Sequence, residues 1–336
     1  MRSAPFLYFG LILAGGLAAQ QGSLTGPLQG YTFDAPTRSL RAVIGFAGAA
    51  SFGPVLRDNL DFGSVAPRQT YGLAFQSGQC LFITGLGSAK ILTQSLAAVE
   101  AQPDGIVWSG NGSRAVLYSR SGNWLQAISG FPDAPAAGSR INVSSLGGVL
   151  ASVAADPQGK MIAAGITGDA GEVFLSTDGQ TFNKLVPAAN PVSLSFSTDS
   201  ATLYVLDSSA PQVIAVTVAS AGFQTIPLAG LASPMAIQAV EDSANNEQLY
   251  IAAAGAQLVR ILDVASQQIV QDVPLSFQPT CLDQFGSNSF VVASRSQAAR
   301  PLWLFASTPV QGAYFVPAVR LQPPDHRRVA IIGGVR

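Results

Sequence analysis

One histidine, two cysteines and 19 carboxylates are what this 336-residue chain offers to catalysis. His326 lies in "PPDHRR" close to the C-terminus. A Ser-His-Asp or Cys-His site would have to use this one residue, and it reads more simply as an exposed tail residue. A multi-histidine metal centre is impossible. Cys80 and Cys281 sit in the apolar runs "CLFITG" and "TCLDQF" and read as two buried thiols rather than a disulfide. Their spacing suits no metal. No Gly-Lys-Ser/Thr phosphate loop or dinucleotide fingerprint is present. "DPQGK" at 156–160, "STDS" at 197–200 and "EDSANNE" at 241–247 are oxygen-rich, as calcium ligands are. None resembles an EF-hand loop, and ordinary turn chemistry accounts for them. The sequence therefore implies no metal and no cofactor. What remains is chemistry by carboxylates alone, with Asp104, Asp169, Asp207 and Asp283 as the side chains to bring together.

The elements that would position these residues recur with a fixed period. Six segments share one pattern: a Pro or Gly, a short apolar strand, a polar turn and a second apolar strand. They begin at Pro67, Pro103, Gly147, Pro191, Pro234 and Pro279, at offsets of 36, 44, 44, 43 and 45 residues. Two more strand-like runs follow each pair, as "QVIAVTVA" and "FQTIPL" follow "ATLYVLD". Four short strands every 40–45 residues, punctuated by Gly, Pro, Asn, Asp and Ser, predict the blades of an all-β propeller. Residues 31–66 supply one further unit, with strands near Tyr31–Asp34 and Leu40–Phe46 but no clear innermost strand. The count is then seven four-stranded blades, near 31–66, 67–102, 103–146, 147–190, 191–233, 234–278 and 279–320. The alternative is six blades plus an irregular N-terminal unit. The apolar run Val329–Ile332 in the tail is expected to add a strand to the first blade and close the ring, because an open blade leaves unpaired strand edges.

This period and strand pattern resembles that of secreted bacterial seven-bladed propellers of the YVTN and lactonase-like kind. "LYVLD" and "LYIAA" are the nearest analogues of the family's tetrapeptide. No repeat carries the Trp-Asp and Gly-His ends of WD40 blades. A second resemblance is local. In "VFLSTDGQTF", residues Ser176, Asp178, Gly179, Thr181 and Phe182 resemble a degenerate Asp-box of the sialidase type. In the Asp-box families this is a structural hairpin away from the active site. Here it falls between the third and fourth strands of its repeat. Asp178-Gly179 is a tight-turn pair, Ser176 and Thr181 can bond across the turn, and Phe182 can pack behind it. A sialidase would also need converging arginines and an activated tyrosine, and no local pattern assigns them.

Only 11% of residues are charged and net charge is -1. Nucleic-acid binding, which needs a dense cationic surface, is excluded. The first 19 residues read as a secretory signal peptide: Arg2, then 16 nearly all apolar residues to Ala19, with cleavage near Ala18 or Ala19. The run is short for a membrane helix, which needs about 20 residues, although a retained N-terminal anchor is the alternative. Residues 20–30 read as a linker and 31–336 as one propeller domain, secreted or periplasmic, monomeric, with no membrane span after cleavage.

The propeller fold puts ligands at the channel mouth, on the face of loops entering first strands and joining second strands to third. That mapping nominates Arg38, Arg68, Asp104, Asp169, Asp207, Asp283, Arg295 and Arg300. Two functions compete. One is an exported, non-catalytic propeller that binds a protein or glycan or acts as a scaffold. The other is a carboxylate-based hydrolase of lactonase or glycosidase type working at the central channel.

Overall fold

The computed structural model describes residues 26–99, 101–286, 289–294, 300–307 and 311–318. Apart from two short 3-10 turns the described chain is strand and loop. The first sheet holds β1 (Leu28–Asp34), β2 (Ser39–Ile44) and β3 (Ser51–Arg57). The second holds β4 (Phe62–Val65), β5 (Tyr71–Gln76), β6 (Gln79–Thr84) and β7 (Leu92–Ser95). β8 (Gly105–Trp108), β9 (Arg114–Ser119), β10 (Trp124–Ser129) and β11 (Ala136–Asn142) form the third, and β12 (Val149–Ala155), β13 (Ile162–Thr167), β14 (Glu172–Ser176) and β15 (Asn183–Pro187) the fourth. The fifth is β16 (Pro191–Phe196), β17 (Thr202–Asp207), β18 (Gln212–Thr217) and β19 (Phe223–Pro227). The sixth is β20 (Pro234–Glu241), β21 (Glu247–Ala253), β22 (Leu258–Asp263) and β23 (Gln268–Pro274). The seventh is β24 (Asp283–Gly286), β25 (Ser289–Ala293), β26 (Leu302–Ala306) and β27 (Gly312–Val316). Each sheet is an antiparallel meander and the seven form a seven-bladed β-propeller, so the six-blade alternative falls. Neighbouring first strands touch around the axis, as β12 does β16 and β16 does β20.

Burial explains why the middle strands are continuous apolar runs. Each blade is sandwiched between two others, so β17 and β21 are buried on both faces and bury nearly every residue. The outermost strands face solvent, and β7 and β23 are almost wholly exposed. The core is therefore a ring of interblade clusters. Between the fifth and sixth sheets, Tyr204 and Leu206, Val213 and Ala215, and Ile226 face Ile237 and Ala239, Leu249 and Ile251, and Leu262. Second, third and fourth strands of one blade thus face the first three of the next.

Three boundaries differ from the sequence reading. The second blade begins at Phe62, not Pro67, and "YGLAF" is its second strand rather than its first. "FGSV" was hidden because it is only four residues long, half of them Gly and Ser. With it in place the interval from Phe62 to Gly105 is 43 residues, and the odd offset of 36 disappears. The first sheet contains a third strand, β3, that the pattern missed. Pairing also begins at Leu28, inside the stretch read as linker. The leader at 1–19, Arg295, His326 and Val329–Ile332 lie outside the described residues.

On the face of the first-to-second strand turns, hydrogen bonds step from blade to blade. Tyr71 Oη donates to the Gly112 carbonyl at 3.0 Å, Asn111 Nδ2 to the Gln158 carbonyl at 2.8 Å, and Ser200 Oγ to Asp156 Oδ2 at 3.1 Å. Tyr204 Oη donates to Glu247 Oε2 at 2.5 Å, and Gln69 Nε2 donates to the Phe285 carbonyl at 2.5 Å. This face is tied by its own turns. The opposite face carries the channel mouth.

Candidate functional site at the channel mouth

The third blade supplies the central side chains. β9 ends in "LYS" and "RSG" follows it, so Tyr118 and Arg120 lie two residues apart where the second strand turns into the third. Tyr118 pairs with Gly105 across the β8–β9 ladder. A Cβ at Gly105 would lie 2.4 Å from the Tyr118 ring and hydroxyl, so glycine lets the tyrosine lie over the innermost strand. The Arg120 guanidinium stands 5.9 Å from the Tyr118 ring centroid.

Asp283 opens β24 in the seventh blade, which does not adjoin the third. Its carboxylate nonetheless feels the Arg120 charge, and Tyr118 feels Arg120, Asp283 and Asp104. Side chains from non-neighbouring blades meet only across the channel. Asp283 is exposed to solvent, yet protein crowds around it, as at a channel wall. Burial raises its pKa, while a hydrogen bond from the Cys281 thiol and the Arg120 charge oppose the rise. Cys281 is itself pushed up by burial and by Asp283, so it is a neutral thiol. Burial raises the Tyr118 phenol as well.

Asp104, just before β8, behaves in the opposite way. Partial burial pushes its carboxyl up, but hydrogen bonds from Ser121 N–H, Ser119 Oγ and Arg120 N–H outweigh that and hold it below the usual range. Ser119 Oγ is at 3.0 Å and Ser121 N at 3.1 Å. The site thus sets one cation and an aromatic ring between an acid kept protonated more readily than usual and one kept ionised.

The other nominated residues divide. Arg38, in the turn from β1 to β2, pairs with Asp61 at the start of β4, and its Nε donates to the Leu60 carbonyl at 3.2 Å. Asp207 is buried and accepts from Ala189 N, Asn190 N, and Ser209 N and Oγ, which fastens a connector to a turn. Asp169 and Arg300 are exposed in second-to-third strand connections. Arg68 is a correction: it lies between β4 and β5, in a first-to-second strand turn on the far face, because the second blade starts earlier than the pattern indicated. Sequence reasoning missed Tyr118 and Arg120. The readable signal was a Tyr-x-Arg strand end opposite the glycine at 105.

The "STDGQTF" hairpin joins β14 to β15 on the far face. Asp178 Oδ1 accepts from Gln180 N and Thr181 N, both at 2.7 Å, and from Ser176 Oγ at 2.9 Å. Gly179 N donates to Ser176 Oγ at 2.9 Å, and Phe182 packs on the cluster between the third and fourth blades. The Ser176 hydroxyl and the Asp178 carboxylate are thus engaged with the turn's own backbone. A cleft of about 250 Å³ beside β10 and β11 is lined by Ala98, Gln126, Gly138 and Arg140. Its buried Gln126 amide donates to the Ala98 and Gly138 carbonyls, and the Arg140 guanidinium stands 4.6 Å from the Trp124 ring centroid. Among the described residues no three His, Cys, Asp or Glu side chains converge as metal ligands, and no helix is long and apolar enough to cross a membrane.

No protein-family model matches the chain, and neither does any curated protein. Solved structures do. A functionally unknown protein from Desulfotomaculum acetoxidans is 10% identical with a TM-score of 0.58, over 86% of this chain and 100% of that one. Sqt1 of Chaetomium thermophilum is 14% identical with a TM-score of 0.54, over 87% and 82%. A chain of a nidogen/laminin complex is 15% identical with a TM-score of 0.47, over 73% and 92%. At such identities the likeness to the first two shows a shared fold and nothing finer.

Proposed function

We propose that this is an exported, non-catalytic propeller of the YVTN-like repeat type that binds a small polar ligand at the channel mouth. The observation that carries the reading is the meeting of Arg120 and Tyr118 from the third blade with Asp283 from the seventh. A guanidinium, carboxylates and an aromatic face together suit a hydroxyl-rich ligand such as a glycan end. The far-face hairpin, taken as a degenerate Asp-box, is structural here. The Arg2 and Ala4–Ala19 pattern supports export, and sequencing the secreted protein should find its N-terminus after Ala18 or Ala19. Binding is tested by screening the mature protein against a glycan array. Hits should be lost in Arg120→Ala and kept in Arg68→Ala, on the far face. Hits unaffected by Arg120→Ala refute the site.

A carboxylate hydrolase is the second reading. Opposite displacement of Asp283 and Asp104 favours it, since an acid and a base with separated pKa values are what such chemistry needs. It predicts turnover of lactones or aryl glycosides that Asp283→Asn and Asp104→Asn each abolish. Absence of turnover across both classes leaves the binding reading alone.

A further inference from the structure

The outer groove of the third blade holds polar groups that the channel mouth does not use. β10 and β11 pair Gln126 with Arg140 and Ile128 with Ala137, so Gly138 and Ser139 stand opposite Ala127 alone. This bulge bends the outermost strand, and beside it lies the cleft of about 250 Å³, lined also by Ala98 of the connector from β7 to β8. Gln126 is 4% exposed, and its Nε2 donates at 2.8 Å to both the Ala98 and the Gly138 carbonyls. Two carbonyls fix the orientation of the amide, because only its nitrogen donates. Both hydrogens are thereby spent, and Oε1 is the atom left over. Among the described residues nothing donates to Oε1, and it is not one of the atoms sealed in the core without a partner. A buried side chain thus presents an unused acceptor to the cleft it lines. Arg140 supplies the second group. Its guanidinium stands 4.6 Å from the centroid of Trp124, a 4% exposed ring of the core between the second and third blades. That contact holds the planar fork and uses none of its N–H groups. Among the described residues no carboxylate pairs with it. Gln126 and Arg140 are direct cross-strand partners, so their Cβ atoms lie about 5 Å apart on one face.

We propose that this cleft binds a small carboxylate bearing a neutral hydrogen-bond donor on the adjoining carbon, as 2-hydroxy acids and N-acyl amino acids do. The carboxylate takes two N–H groups of Arg140, the pairing for which a guanidinium is shaped. The neighbouring O–H or N–H donates to Gln126 Oε1. An ammonium group fits that place poorly, because no acid among the lining residues balances it beside Arg140. The site is separate from the channel mouth: β11 is the outermost strand of its blade, and β8, the innermost, stands two strands away.

Titration of the full chain with lactate and with N-acetylglycine, followed by nuclear magnetic resonance, tests this without any glycan, so its failure is separate from failure of the mouth reading. Saturable shifts are expected at the Gln126 side-chain amide and at the backbone of Gly138, Ser139 and Arg140. No shift there with either probe overturns the proposal. Propionate, which lacks the donor, should bind about 2- to 10-fold more weakly than lactate, the loss of one neutral hydrogen bond. Equal affinity overturns the role of Gln126. Alanine, with an ammonium in place of the hydroxyl, should also bind more weakly than lactate, and equal or tighter binding overturns the neutral donor. Arg140→Gln, at an exposed position, should weaken lactate binding about 10- to 100-fold, and unchanged affinity overturns the carboxylate contact. Ala137→Leu fills the cleft and keeps both polar groups. Binding that survives it overturns the cleft as the site.

Discussion

Tyr204→Phe removes a single oxygen and leaves the ring in place, so its cost measures one interblade hydrogen bond. The Tyr204 hydroxyl donates at 2.5 Å to Glu247 Oε2 in the next blade, and its side chain is 2% exposed. A hydrogen bond to a charged group contributes about 1.5–3 kcal/mol, against about 0.5–1.5 kcal/mol between neutral groups. Glu247 is half-buried and keeps Thr198 N at 3.0 Å, so water and a second donor recover part of the loss. The expected cost is the lower part of that range, about 1.5–2 kcal/mol. Tyr71→Phe is the internal control. Its hydroxyl donates at 3.0 Å to the neutral Gly112 carbonyl, for an expected cost of about 1 kcal/mol. Urea titrations should place Tyr204→Phe below Tyr71→Phe with unchanged denaturant slopes. Alkaline pH supplies a second readout. Burial first, and then the hydrogen bond and charge of Glu247, hold the Tyr204 phenol well above its ordinary value of 10.0. The unfolded chain releases this proton near pH 10 and the folded chain does not, so this contribution to stability falls as pH rises above 10. Tyr204→Phe should flatten that fall. If Tyr71→Phe costs as much as Tyr204→Phe, or the alkaline slope of Tyr204→Phe equals that of the wild type, the charged bond is not what couples the fifth and sixth blades.

Four further outcomes are expected. Asp283→Asn should make the protein more stable at pH 7 and nearly unchanged at pH 3, because a carboxyl raised above 3.8 by burial loses stability as pH rises through its folded value; denaturant midpoints at the two pH values check this. Asp178→Ala should speed amide exchange at Gln180 and Thr181 without altering ligand binding, and its effect should fade at pH values low enough to protonate the depressed wild-type carboxyl. Folded protein should resist aromatic disulfide reagents at pH 8, since burial pushes the Cys80 thiol up to about 12 and Cys281 is raised as well; rapid release of chromophore contradicts both assignments. Gly105→Ala should displace Tyr118 and weaken ligand capture while the circular dichroism spectrum stays that of the wild type.

Much of the architecture was legible because interblade burial writes itself into composition. Middle strands such as "TLYVLD" and "EQLYIAA" are apolar on both faces, and the Asp and Gly turns between them recur at the blade period. "FGSV" and β3 escaped because a strand beside the channel or at the rim is not enclosed on both sides and needs no such run. One missed strand was enough to put Arg68 on the wrong face. Asp104 and Asp283 were legible as mouth residues from their position just before or at a first strand. Their opposite electrostatics were not, since these depend on Ser119 and Ser121 around one and on enclosure around the other.

By itself, the sequence determined the all-β class, the repeat, the far-face hairpin of Ser176 and Asp178 and the exclusion of histidine metal chemistry. Each is a property of local composition and spacing. Tertiary structure alone decided which charges share the channel. Arg120 and Asp283 are 163 positions apart in the chain. They meet because closing seven twisted sheets into a ring carries non-adjacent blades to opposite sides of one narrow axis. No local pattern encodes that closure.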